Sequence, residues 1–254
     1  MDFPRYLECL ASDFARLRAV AAIDLGGAVA TCPGWSVADL TRHVGEVYMH
    51  KTEAMRQGAE PEPWPPPGLA DEEPLGLLDR TYADLLTEFA RRKPADPCGT
   101  WYTPDQTVGF WMRRMAQETV IHRIDAELGT GQAVAPVPAD LALDGIDELL
   151  NVFVAFGVAN WSKYFADVLG SSLGRTYAVH TDGAAWRVYT GPSTFKVDQG
   201  SSSETADVTI SGPPTDVLRW VWNRESSSEP DAVHVEGPTE AVTELKRVIA
   251  TGTQ

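Results

Sequence analysis

Apolar side chains recur at steps of three or four through the first half of the chain and at steps of two after Gly170, and this change of period sets the expected architecture. Over residues 4–29, Tyr6, Leu10, Phe14, Leu17 and Ala21 share one helical stripe and predict a first amphipathic helix, broken by Pro33-Gly34. Ser36-Val37-Ala38-Asp39 reads as a helix start in which Ser36 caps the Asp39 amide and the Asp39 carboxylate favours the N-terminus. A second helix is expected over 37–57. Pro61, Pro63, Pro65, Pro66 and Pro67 make 58–71 a loop or rigid lid. Pro74 suits the first turn of a third helix that carries Leu75, Leu78, Tyr82, Leu85, Leu86 and Phe89 and stops near Lys93-Pro94. After a loop over 95–105, a fourth helix is expected over 106–128, ended at Gly129-Thr130-Gly131.

Pro136 and Pro138 mark a linker, and 139–163 reads as one or two helices with Leu141, Ile146, Leu149, Leu150, Val152 and Phe153 as apolar positions. Beyond Gly170, 176–180 and 185–189 flank Asp182-Gly183, a strong hairpin signal. Further strands are expected near 194–197, 206–210 and 232–235, with helices near 215–222 and 239–249. The expected fold is a four-helix bundle over 1–135 followed by a smaller α+β domain over 139–254.

The fourth helix carries the candidate chemistry. Glu118 and His122 are four residues apart, hence on one face and one turn apart, beside Trp111 and Met115. On the second helix His43 flanks the apolar face made by Leu40, Val44, Val47 and Tyr48 and is the natural third partner. Two imidazoles and one carboxylate have the composition of a catalytic zinc site with a fourth position open. His50 lies two turns from His43, roughly 10 Å along the axis, too far to share an ion. Asp125, three residues after His122, could orient an imidazole from behind. Plainer readings stand beside these. A lone Glu-x-x-x-His is ordinarily a surface pair, and His43 alone a core-edge histidine. His180 and His234 read as structural, Trp111 and Met115 as packing, and Arg113, Arg114 and Arg123 as a solvated helix face.

Composition narrows the partners. The 254 residues carry a net charge of −15, which repels phosphate backbones and anionic lipid, so a small molecule is expected rather than nucleic acid or a membrane. No window approaches 18 uninterrupted apolar residues, and no secretory signal is expected at the N-terminus. Cys9, Cys32 and Cys98 are widely spaced and fit a reducing compartment, the cytoplasm. The common serine-hydrolase, P-loop and dinucleotide fingerprints are absent.

Two segments carry a family likeness. Cys32-Pro33-Gly34-Trp35-Ser36-Val37-Ala38-Asp39-Leu40-Thr41-Arg42-His43 resembles the P-G-W-[ST]-V-x-D-L-x-x-H segment of the mycothiol-dependent maleylpyruvate isomerase family, within the DinB-like metalloenzymes. Met115-Ala116-Gln117-Glu118-Thr119-Val120-Ile121-His122-Arg123-Ile124-Asp125-Ala126-Glu127 resembles that family's M-A-x-E-x-x-x-H-R-x-D-A-E segment. The resemblance implies a DinB-like bundle joined to an α+β domain that resembles sterol carrier proteins. It implies His43, Glu118 and His122 as ligands of a divalent metal, usually zinc, and mycothiol as thiol cosubstrate. It also implies a supporting arginine in the second domain. Arg224 is the positional match, although the family's usual Gly-Arg reads Asn223-Arg224 here and Arg219 competes.

A metal favours thiolate over thiol at neutral pH. The expected reaction is therefore addition of a metal-bound thiolate to a small electrophile, giving thiol transfer or cis–trans isomerisation of the maleylpyruvate type. The 58–71 loop and the second domain are expected to close over the site, with Arg224 or Arg219 receiving a substrate carboxylate. The alternatives are a metal-dependent hydrolase using activated water and a non-catalytic binding or regulatory module. A monomer or homodimer is expected.

Overall fold

The computed structural model describes residues 1–200, 205–225 and 232–253. The chain divides into two compact units, Met1–Ala135 and Pro136–Gln254.

The first unit is a bundle of α1 (Phe3–Ala21), α2 (Val37–Gln57), α3 (Pro74–Arg91) and α4 (Val108–Gly129). Helix α1 packs mainly on α4 and α2 on α3, while α2 also meets α4 along the seam that holds the candidate site. Ser36 caps α2 as expected, with Pro74 at the first turn of α3 and Thr107 capping α4. The proline-rich loop contains a single short 3₁₀ turn, Leu69–Asp71.

Helix α1 ends at Ala21, the last residue of its apolar stripe and eight residues before the expected end at 29. The Gly26-Gly27 pair and the bond from the Gly26 amide to the Asp24 carboxylate favour a turn over a helix. The loop over 22–35 then folds onto the start of α2, with Val37 N–H donating to Gly27 O at 2.8 Å and Ala38 N–H to Leu25 O at 2.8 Å. It also presses against the end of α4. A Cβ on Gly27 would lie 2.3 Å from the Gly129 carbonyl oxygen, so this approach requires glycine.

Helix α4 is buried on nearly all sides, with Trp111, Met115, Val120 and Ile124 at its centre. Its polar residues are buried too, and this corrects the expectation of a solvated arginine face: Arg114 is 6% and Arg123 1% exposed. Each has carboxylates within reach. Arg123 donates to Asp13 at 3.0 Å, to Glu127 at 2.7 Å and to the Ala135 carbonyl at 2.8 Å, while Arg16 donates to the other Glu127 oxygen at 2.7 Å. Buried charges survive only when paired in this way.

The second unit begins with α5 (Ala139–Asp147), which runs through a π-helical stretch, Glu148–Ala155, into α6 (Phe156–Asn160) and then, after a 3₁₀ turn, α7 (Ala166–Leu169). Strands β1 (Arg175–Thr181), β2 (Ala184–Gly191), β3 (Thr194–Gln199), β4 (Val208–Ser211) and β5 (His234–Glu236) follow, interspersed with α8 (Pro214–Val221) and ending in α9 (Thr239–Gly252). Among the described residues they form one sheet of order β3-β2-β1-β4-β5, with β1 parallel to β4 and the other neighbours antiparallel. Gly183, at φ 100°, makes the β1–β2 turn. Tyr177, Val179, Val188, Val208 and Ile210 are buried in the sheet, and α9 buries Ala241, Leu245, Val248 and Ile249, one helical stripe. The architecture is a helix bundle followed by an α+β unit. Among the described residues no helix is long and apolar enough to cross a membrane.

Candidate metal centre

The start of α2 fixes the first site residue. Ser36 and Asp39 form a reciprocal capping box, with Asp39 N–H donating to Ser36 Oγ at 3.2 Å and Ser36 N–H donating to Asp39 Oδ2 at 2.9 Å. His43 follows one turn later, where the Trp35 ring leans on its imidazole at 4.9 Å between centroids and 55°. Across the seam, α4 presents Glu118 and His122 on successive turns.

The three side chains converge on one point. His43 Nε2 lies 3.4 Å and His122 Nε2 3.3 Å from the same Glu118 oxygen, Oε1, and the three candidate ligand atoms all fall within 4.8 Å of one another. These separations discriminate between two readings. A charge-assisted hydrogen bond between imidazolium and carboxylate settles at about 2.7–2.9 Å. Ligands around a tetrahedral ion with bonds of about 2.0–2.1 Å stand roughly 3.3–3.4 Å apart. The two distances from Glu118 Oε1 match the second value, the two imidazole nitrogens lie within 4.8 Å of each other, and the donor set suits zinc. With three protein atoms provided, one position is left for another ligand.

The remaining polar atoms of the cluster are already committed. Arg114 donates to the other Glu118 oxygen, Oε2, at 2.7 Å, which leaves Oε1 for the centre. His122 Nδ1 is 2.9 Å from Asp125 Oδ2, so its ring is held from behind and Nε2 faces the seam. Asp125 is fully buried and accepts from Thr31 Oγ1 at 2.5 Å, while Cys32 Sγ lies 3.9 Å away. Exposure is graded across the cluster, with His43 at 36%, Glu118 at 14% and His122 at 12%, which places the open side next to His43 and Trp35.

Electrostatics point the same way. Burial opposes charge on both partners of the Glu118–His122 pair. The neighbouring His122 and His43 imidazoles and the Arg114 guanidinium outweigh burial and hold the Glu118 carboxyl well below its usual range. Glu118 and Asp125 likewise overcome burial at His122 and raise it to about 9. Two buried carboxylates around one imidazole thus call for positive charge, which a proton or a metal ion can supply.

The other candidates lie elsewhere. The His50 ring sits 4.7 Å from Trp64, outside the cluster, and His234 pairs with Glu236 at 2.8 Å on the surface. Arg219 is buried and donates to the Arg224 carbonyl at 3.1 Å, and Arg224 donates to Trp222 O at 2.5 Å with its guanidinium 5.7 Å from the Trp222 ring. Arg114, Thr31 and Trp35 belong to the cluster without having been singled out for it. Arg114 could have been found as the residue four positions before Glu118, and Trp35 from its place in the first motif. Thr31 carries no signal.

Residues 7–127 match the mycothiol maleylpyruvate isomerase N-terminal domain, and residues 140–244 match the MDMPI C-terminal domain. The chain belongs to the mycothiol-dependent maleylpyruvate isomerase family. A crystal structure of the mycothiol-dependent maleylpyruvate isomerase superposes with a TM-score of 0.63 at 15% identity, over 94% of this chain and 95% of its own, and shares its fold. A histidine-to-alanine mutant of that isomerase gives 0.63 at 14% identity over the same shares. The ubiquinone synthesis protein UbiJ-SCP2 covers 47% of this chain and 96% of its own at 16% identity and a TM-score of 0.32. No curated protein matches the chain by sequence.

Asn223, the residue before Arg224, adopts a left-handed conformation with φ 56°. Asparagine tolerates that region better than most residues, so the turn leading into Arg224 forms without glycine.

Proposed function

We propose that this protein is a divalent-metal-dependent, mycothiol-dependent enzyme that adds a thiolate sulfur to a small electrophile, with zinc held by His43, Glu118 and His122. The observation that carries the reading is the convergence of two imidazole nitrogens on one carboxylate oxygen at 3.3 and 3.4 Å. A divalent ion bound there would lower the pKa of a thiol in the open position and keep it as thiolate at neutral pH.

The chain's own residues prepare that position. Asp125 engages Nδ1 of His122 and leaves Nε2 free to ligate, Arg114 occupies the far oxygen of Glu118, and Trp35 restricts rotation of His43. In the isomerase reaction the sulfur adds to one carbon of a cis double bond, the adjoining carbon–carbon bond rotates, and the same carbon–sulfur bond breaks. The thiol is recovered and the product keeps every atom of the substrate. If the adduct is instead protonated and released, the outcome is S-transfer. In this reading Arg224 receives a substrate carboxylate, the electrophile and a low-molecular-weight thiol are the partners, and the protein works in the cytoplasm.

The test is an electrophile screen with and without mycothiol, followed by mass spectrometry, on protein whose metal content has been measured. Thiol-dependent turnover by protein with one divalent metal per chain is expected. Protein with no stoichiometric metal, or metal content unchanged in His122→Ala, would end the reading. Turnover of thiol conjugates with no added thiol would move it to a hydrolase.

A further inference from the structure

A cavity of about 340 Å³ opens between the second half of α2, the middle of α3 and the proline-rich loop. Thr52, in its wall, lies nine residues after His43, about 13.5 Å along the axis and half a turn around α2, so the cavity is separate from the His43, Glu118 and His122 cluster. Its volume falls within the range of small-molecule sites, about 300–1,000 Å³.

Two features of the wall point to a ligand. The first is Thr52 itself, which is 1% exposed and whose hydroxyl has no hydrogen-bond partner. The other buried helical threonines of the bundle behave differently: Thr41, Thr81 and Thr119 donate to the carbonyl four residues earlier at 2.7, 2.8 and 2.6 Å. A buried hydroxyl left without a partner is costly, and a polar atom in the cavity relieves it. The second feature is charge. Both guanidiniums on the wall are committed, Arg56 to Glu53 at 2.8 Å and Glu88 at 3.2 Å, and Arg80 to Glu72 at 2.7 Å and Asp84 at 3.9 Å. Glu62, on the same wall, has no cation within ion-pair distance among the described residues. Acceptors are therefore in excess, and no uncommitted cation is there to receive an anion.

We propose that this cavity is a second binding site of the bundle, for a small aliphatic amine or diamine in its ammonium form. An ammonium carries three donors and no acceptor, which suits a wall of Glu62, Asp84 and the Thr52 hydroxyl. A methylene stem suits the opposite, apolar side made by Met49, Pro61, Pro63, Trp64 and Pro66. The His50 ring braces Trp64 at 4.7 Å between centroids, and an indole face attracts a cation. A polyol of the same size would find too few free donors for its oxygens. The plain alternative is a solvent-filled hollow under the loop, with Thr52 and Glu62 serving nothing beyond the fold.

The full chain would be titrated calorimetrically, at about 0.15 M salt, with 1,4-diaminobutane, with the neutral isostere 1,4-butanediol and with succinate. Saturable binding of one diamine per chain is expected, with no binding of the diol or the diacid. Glu62→Gln and Asp84→Asn should each weaken the diamine roughly 2–5-fold, the worth of an exposed ion pair, and the double variant should weaken it further. Thr52→Val removes the hydroxyl and nearly keeps the shape. It should leave the melting temperature of the unliganded chain equal or higher, because no bond is lost, and weaken the diamine roughly 3–10-fold. Absence of saturable diamine binding, equal binding in wild type and the double variant, or a lowered melting temperature in unliganded Thr52→Val overturns the proposal. The site stands apart from the metal reading. Metal-loaded and chelated protein should bind the diamine alike, and binding that vanishes on chelation also overturns it.

Discussion

The two units surround their buried charge differently. In the bundle, carboxylates go inside and arginines follow them: Asp13 and Glu127 around Arg123, Glu88 between Arg56 and Arg92, and Glu118 against Arg114. In the α+β unit, the buried Arg187 and Arg219 donate to the backbone carbonyls of Thr205 and Arg224 among their contacts, and Glu244 accepts from the hydroxyls of Ser172 and Thr190 and pairs with Arg175 at 3.4 Å. The candidate cluster between the helices sits in a network of paired charges, with negative charge concentrated at Glu118 and Asp125 where a metal is proposed to bind. Among the described residues the α+β unit has no such cluster, and most of its core is apolar.

The sharpest way to break this contrast is Arg123→Met. The substitution keeps much of the volume but leaves Asp13 and Glu127 buried without their cation, and should cost the bundle about 3–5 kcal/mol. Chemical denaturation followed by residue-resolved hydrogen exchange should show the loss in α1 and α4 and none in β1–β4. Exchange that stays unchanged in α4 would mean the network is incidental.

Metal removal comes next. A ligand at a hundredfold excess over its Kd stabilises the state that binds it by about 2.7 kcal/mol. Chelation should therefore lower exchange protection of α2 and α4 around His43, Glu118 and His122 and leave α9 as it was. Equal loss in both units, or in neither, would remove the metal from the comparison.

Asp125→Asn tests the support behind His122. Loss of such a carboxylate typically weakens metal binding by roughly 10–100-fold. Competition with a chromogenic chelator would measure it, and an affinity equal to wild type would show that Thr31 and Asp125 serve packing alone. In the other unit, Ile210→Val should cost about 0.5–1.5 kcal/mol, detectable as faster exchange in the sheet with no change in metal affinity. A change in affinity would mean the two units are energetically coupled.

Much of the bundle side was legible because helical periodicity reports faces. The stripes of α2 and α4 put His43, Glu118, His122 and Asp125 where the structure has them. What stayed hidden depends on contacts between distant parts of the sequence. The 22–35 loop delivers Thr31 and Trp35 by way of the close approach of Gly27 to the Gly129 carbonyl, a contact between residues about a hundred positions apart. Arg123 looks solvated until Asp13, 110 residues away, is beside it. In the α+β unit the period-2 pattern located the hairpin between β1 and β2, but the π-helical stretch over Glu148–Ala155 has the residue content of an ordinary helix and left no mark. Arg224 could be matched only through the family pattern, since an arginine in a turn has no periodicity to place it.

The smallest expected effect concerns acid, and it separates a paired carboxylate that only stabilises from those at the metal centre. Glu88 is 4% exposed and accepts from Arg92 at 2.7 Å and Arg56 at 3.2 Å. Burial pushes its carboxyl up, but the two guanidiniums more than offset this and hold it below the ordinary 4.5. A carboxyl with a depressed folded-state pKa contributes stability that is fully present above the unfolded value and is lost as pH falls through the folded one. Bundle stability should therefore be flat in this residue from pH 7 to about 5 and decline below about 4.5. Glu88→Gln should flatten that acid limb without touching metal affinity at pH 7. Denaturation midpoints measured from pH 7 to pH 3 in both proteins would decide it, and parallel acid limbs would show that Glu88 titrates alike in the folded and unfolded chains.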